Sequence, residues 1–140
     1  MFKFINGNEG NHVDSIEKIS KLEEKYSIVF PECLKDFYQK FDGEKIKLTT
    51  FAVEGYECEV SKIIPIVADK MDFEYIKDND ISDGFVSDDF YPLARDRGGN
   101  YYYWEAKTGR VLLVFSDDFD NPFVISSSVK NFFELLDITN

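Results

Sequence analysis

The sequence predicts an α+β fold: a mainly antiparallel sheet with two N-terminal helices and one C-terminal helix packed on it. Three observations carry that prediction. Apolar residues fall at helical spacing near the start of the chain and again near its end, while the stretch between them alternates with the period of strands. The two kinds of segment are grouped rather than interleaved, which favours α+β over a parallel α/β design. The 140 residues are 44% hydrophobic and 16% aromatic, a composition that folds as one globular domain spanning 1–140.

Residues 1–13 are rich in Gly and Asn and are expected to form a loose N-terminal arm, with a short edge strand as the alternative. The first helix is expected from near Asp14. Asp14 and Glu17 have the spacing of a capping box, in which each side chain accepts one of the helix's orphan amides. Ile16, Ile19, Leu22 and Tyr26 then line one side. Phe30-Pro31 should stop the helix, because the residue before proline avoids the helical region. Pro31 suits the opening of a second helix, having no amide to leave unpaired. Leu34, Phe37, Tyr38 and Phe41 form its apolar stripe, and Gly43 suits a left-handed cap.

Strands follow. Ile46, Leu48 and Thr50 alternate with polar neighbours, as do Tyr56, Cys58 and Val60. Ile63-Ile64-Pro65-Ile66 holds a proline and reads as an edge or a connection. Residues 69–90 carry eight acids against Lys70 and Lys77. A short helix through Met71, Tyr75 and Ile76 is expected there, and turns after it. Tyr91-Pro92-Leu93-Ala94 should be a strand entering a turn at Gly98-Gly99. Residues 100–105 and 110–115 should pair as a hairpin around Lys107-Thr108-Gly109. Residues 117–121 read as an acidic loop. Ser126, Ser127 and Ser128 offer caps for a last helix with Val129, Phe132, Phe133 and Leu136 on its buried side.

Most catalytic patterns are missing. His12 is the sole histidine and lies in the arm, with nothing to hold it between a nucleophile and a carboxylate. Cys33 and Cys58 with one distant histidine match no closed zinc pattern, and two cysteines make no disulfide scaffold. They read as small buried thiols in a reducing, cytoplasmic compartment. No apolar run approaches the roughly 18 residues of a membrane span. Asp78, Asp80, Ser82 and Asp89 have EF-hand-like spacing, but Asp83 stands where glycine is required and Pro92 opposes an exit helix. An acidic solvated loop is expected instead. Gly98-Gly99-Asn100 is followed by a strand and no lysine-serine pair, so it reads as a turn and not a phosphate cradle. Tyr101-Tyr102-Tyr103-Trp104 should mostly pack the sheet, with one or two rings on its outer face. No catalytic residue, metal or cofactor is expected.

Several segments together carry a resemblance. These are the helix ending at a proline, the second helix ending at Gly43, and the run Pro92-Leu93-Ala94, Asp96, Gly98, Gly99, Asn100 and Tyr102. The closing Ser128-Val129-Lys130-Asn131-Phe132-Phe133 completes them. In their order and spacing the chain resembles the SUKH superfamily, which includes the fungal Smi and Knr cell-wall regulators and many bacterial immunity proteins. Two departures stand out: Asp42-Gly43-Glu44 replaces the family's Asn-Gly-Gly, and Val129 replaces its usual phenylalanine. The resemblance implies a non-catalytic protein-binding domain. Bacterial members neutralise toxin domains, often nucleases, and the bare domain favours that type. A regulatory scaffold for an endogenous partner in envelope synthesis is the alternative.

The formal charge is −11. Such a surface repels nucleic acid and anionic lipid, and suits a basic partner protein such as a cognate toxin. Recognition is expected where folding least constrains composition, in the loops 78–89 and 117–120. Asp88, Asp89, Asp117, Asp118 and Asp120 are therefore the candidate partner-binding residues. Pro92, Gly98 and Asn100 should be structural.

Overall fold

The computed structural model describes residues 9–83 and 86–136, without the side chains of 80–83. Most of the expected arm and part of the 78–89 segment therefore lie outside the described residues. The elements run α1 (Val13–Tyr26), α2 (Glu32–Phe41), β1 (Thr49–Val53), β2 (Tyr56–Val60), β3 (Lys62–Ile63), α3 (Phe73–Asp83), β4 (Phe90–Arg95), β5 (Tyr101–Glu105), β6 (Val111–Phe115), β7 (Asp118–Ser126) and α4 (Val129–Leu135). β1 and β2 form an antiparallel hairpin, and β3 to β7 form a five-stranded antiparallel meander in chain order.

The helical stripes meet in one interior. Ile19 and Leu22 of α1, all four stripe residues of α2, and Val129, Phe132 and Phe133 of α4 are buried against Tyr102, Trp104, Val111 and Leu113. Ser128 caps α4, its hydroxyl accepting from the Asn131 amide at 3.0 Å. The start of α1 differs from expectation. His12 is the cap residue and makes no side-chain cap bond, so the Asp14–Glu17 box is not formed. The chain enters differently because Gly10 and His12 donate their amides to the Lys40 and Gln39 carbonyls at the end of α2. Ser15 turns inward and gives its hydroxyl hydrogen to Asp42 at 2.6 Å.

Strand phase is corrected at β1. Thr49, Phe51 and Val53 face inward, whereas Leu48 and Thr50 are exposed. Phe51 sets this phase: its ring centroid lies 6.4 Å from Tyr102 and 6.2 Å from Phe132. Burying that ring outweighs the weaker Ile46–Leu48 alternation. In β4, Pro92 lies beyond the point where β3 pairs, since that strand reaches only Arg95 and Ala94. The missing amide therefore falls where the neighbouring strand has ended.

Two loops prove to be regular structure. α3 runs on to Asp83, with Phe73, Ile76 and Lys77 buried and Tyr75 exposed; Met71 precedes it at φ 55°. Asp78 is therefore on a helix, not in a calcium-type loop. Residues 117–121 are also mostly strand: Ser116 and Asp117 make a tight turn, and Asp118 already pairs with Phe115. The outer face of the sheet is likewise covered. Tyr103 is only 4% exposed and packs with Phe90, Leu112 and Val114, with Val86 and Tyr101 at the margin. Val86, shortly before β4, packs on these rings, and the outward aromatics expected there are mostly buried.

Asn100 joins two turns. Its amide nitrogen side chain donates to Asp96 Oδ2 at 2.8 Å, and its Oδ1 accepts from the Ser116 amide at 2.9 Å. Gly99, at φ 86°, takes the left-handed position that this turn requires. Replacing Asn100 with Ala removes both side-chain bonds and should cost about 1–2 kcal/mol, read as a lower urea midpoint at unchanged slope.

Candidate interaction surface

The strand register separates the five predicted acids. Asp88 and Asp89 precede β4, at the end of the sheet where Phe90 pairs with Glu105. Asp117, Asp118 and Asp120 lie at the opposite end, where Tyr101 pairs with Val114 and Phe115 pairs with Asp118. The strands between place the two groups roughly 13 Å or more apart. They do not form one patch.

Their surroundings differ too. The Asp89 carboxylate accepts from the Lys107 amide at 2.9 Å, and its carbonyl accepts from the Ala106 amide at 3.1 Å. Asp89 thus pins the β5–β6 hairpin. The Asp88 carbonyl accepts from Lys77 Nζ at 2.7 Å, while the residue itself is exposed. Nearby, Glu105 takes the Thr108 hydroxyl and the Arg110 guanidinium, which together hold its carboxyl below the usual range against the cost of its burial. Lys77, Lys107 and Arg110 offset much of the negative charge at this end.

At the other end acids outnumber the cations Lys62, Arg95 and Arg97. Asp117 and Asp120 are exposed, and Asp118 accepts from Asn121 Nδ2 at 2.9 Å. The β1–β2 hairpin meets the sheet here. A groove between them is lined by Tyr56, Glu57, Glu59, Asp96, Arg97 and Tyr102, among others. Tyr56 touches Phe115 and Phe123 edge-on, with ring centroids 5.7 and 5.6 Å away. The Asn100 bond to Ser116 brings the Asp96 turn beside Asp117. Glu57, Glu59, Asp96, Asp117, Asp118 and Asp120 therefore share one end of the domain, with Arg97 paired to Glu59 at 3.0 Å.

The remaining titratable groups read as structural. Burial alone would raise the Asp78 carboxyl, but the Lys25 ammonium and the Tyr26 hydroxyl outweigh it and hold the group below 3.8. Its contribution to stability is present above that value and fades as pH falls through the lowered one. Burial pushes both cysteine thiols up, so neither is an activated thiolate. Among the described residues no three His, Cys, Asp or Glu side chains are placed to hold a metal. Among them, too, no helix is long and apolar enough to cross a membrane.

Sequence reasoning missed the groove, because Glu57, Glu59 and Asp96 meet only through tertiary packing. The Glu54-Gly55 turn, with φ 50° and 79°, is the local signal that places Tyr56 at a hairpin tip. A family model, that of the SMI1/KNR4 family (SUKH-1), matches residues 15–135. No curated protein matches the chain significantly.

Proposed function

Because this chain belongs to the SMI1/KNR4 (SUKH-1) family, we propose that it is a non-catalytic binding domain, an immunity protein that neutralises a cognate bacterial toxin. The family match over residues 15–135 carries the reading. The charge of −11 supports a basic partner, such as a nuclease whose substrate-binding surface it occupies. The acids act through steering and surface complementarity, and no bond is made or broken.

The test is co-expression of the tagged chain with the product of the neighbouring gene. A stable complex that abolishes a toxic activity is expected. Stable capture of a housekeeping protein instead, from cells without that gene, would support the regulatory scaffold in its place.

Asp117, Asp118 and Asp120 changed together to Asn should slow association about tenfold at low salt and flatten its salt dependence. A thermal melt should remain near that of the parent. Asp88→Asn alone should have a smaller effect, since Lys77, Lys107 and Arg110 match the three acids Asp88, Asp89 and Glu105 at its end of the sheet. Asp89 is left unchanged because its carboxylate pins the hairpin. Equal association rates at both salt levels would defeat the electrostatic account.

A further inference from the structure

We propose that Tyr56 and the carboxylates beside it form a docking face for an arginine side chain on a basic protein segment. This rests on the protein-binding reading above and adds the chemistry the partner must present. Tyr56 is 47% exposed, yet it is not a loose side chain. Phe115 and Phe123 meet it at interplanar angles of 75° and 67° and hold its orientation. Fixing a large ring in advance removes ordering cost from binding. Glu57, Glu59 and Asp96 line the same groove as Tyr56, and Asp118 lies opposite Phe115, one of the rings that hold it.

An aromatic face next to carboxylates is complementary to a cation that is flat and weakly hydrated. Guanidinium meets both demands: it stacks on rings and takes carboxylate oxygens in a fork. Ammonium is more strongly hydrated and acts as a point charge. The groove already shows the carboxylate half of such a pairing. Arg97 donates Nε to Glu59 Oε2 at 3.0 Å and brings Nη2 to the same oxygen at 3.0 Å, although its own side chain is 69% exposed. One guanidinium of the chain thus sits on this groove; the Asp96 oxygens already accept from the Asn100 backbone and side-chain amides, and Glu57 is the carboxylate beside it for another. Nucleic acid is excluded by the same carboxylates.

The test uses a capped tetra-arginine peptide titrated into the isotope-labelled full chain and followed by amide shifts, with tetra-lysine and tetra-glutamate peptides alongside. Shifts should concentrate at 56–59, 96–97 and 115–118, and tetra-arginine should bind more tightly than tetra-lysine. Tyr56→Phe should leave the affinity for tetra-arginine unchanged, whereas Tyr56→Leu should weaken it about two- to fivefold. Glu57→Gln, a change at an exposed position, provides a second reading should Tyr56→Leu fold poorly, and should also weaken binding. Shifts spread over all acidic surfaces, equal binding of the two cationic peptides, or no binding would each overturn the proposal. The readout needs no toxin. A mapped peptide without a captured toxin upholds this face and defeats only the immunity reading. A captured toxin with dispersed peptide shifts defeats this face alone.

Discussion

Asp42→Ala is expected to lower the unfolding free energy by about 3–5 kcal/mol, a large part of the roughly 5–15 kcal/mol available to a domain. Asp42 is 7% exposed and follows α2 directly. Its carboxylate accepts three hydrogen bonds: from Ser15 Oγ at 2.6 Å, from the Ile66 amide at 2.8 Å and from the Val67 amide at 3.0 Å. One side chain therefore ties the start of α1 to the connection after β3. Alanine leaves these donors without their acceptor, and the Ile66 bond is fully buried. Unmet buried donors cost more than a hydrogen bond contributes when made. Asp42→Asn should fall between, because an amide offers one accepting oxygen and turns its NH2 toward the other donors. Ser15→Ala removes a single bond and should cost about 1 kcal/mol. Urea unfolding followed by far-ultraviolet circular dichroism separates the three. A loss at Asp42→Ala no larger than at Ser15→Ala would show that the two backbone bonds contribute little.

Lys77→Met should cost about 2–4 kcal/mol, for a related reason. Lys77 is 0% exposed. Its ammonium donates to the Asp88 carbonyl at 2.7 Å and to the Phe90 carbonyl at 2.6 Å, and lies 4.0 Å from the centre of the Tyr91 ring. Methionine fills similar space but donates nothing, so two carbonyls lose their partner. The damage should be local before it is global. Amides of 86–90 and of the β5–β6 hairpin, which Asp89 pins, should exchange with solvent faster than those of α2. Uniform exchange, or a melting temperature equal to that of the parent, would refute the assignment of Lys77 as the link between α3 and β4.

The parts of the fold legible in the sequence are those whose cause is local. The α2 stripe, the Ser128 cap and the 105–110 hairpin each depend on residues within a few positions of one another. The parts misread depend on distant partners. The phase of β1 follows from Phe51 meeting Tyr102 and Phe132, which no local pattern encodes. Residues 117–121 carry a loop-like composition, yet Asp118 pairs with Phe115 and the ladder resumes, after a register shift, where Phe123 meets Leu113. The acids of the surface were legible as residues but not as a site. Their division between two ends of the sheet is a consequence of strand register, and Asp89 looks like its neighbours until the Lys107 amide is seen on it.

Trp104 is the chain's sole tryptophan. It is buried between Phe30 and Tyr91, with ring centroids 5.4 and 5.2 Å away, and its indole N–H finds no acceptor among the described residues. An indole in such surroundings emits at the blue end of its range and shifts red when water reaches it. It pairs with Val111, at the end of the sheet away from Tyr56. The molecule therefore contains an intrinsic optical gauge of its interior, one that is silent to events at the hairpin tip. A titration that quenches tyrosine emission while leaving the indole spectrum fixed would be reporting occupancy and not loss of the native state.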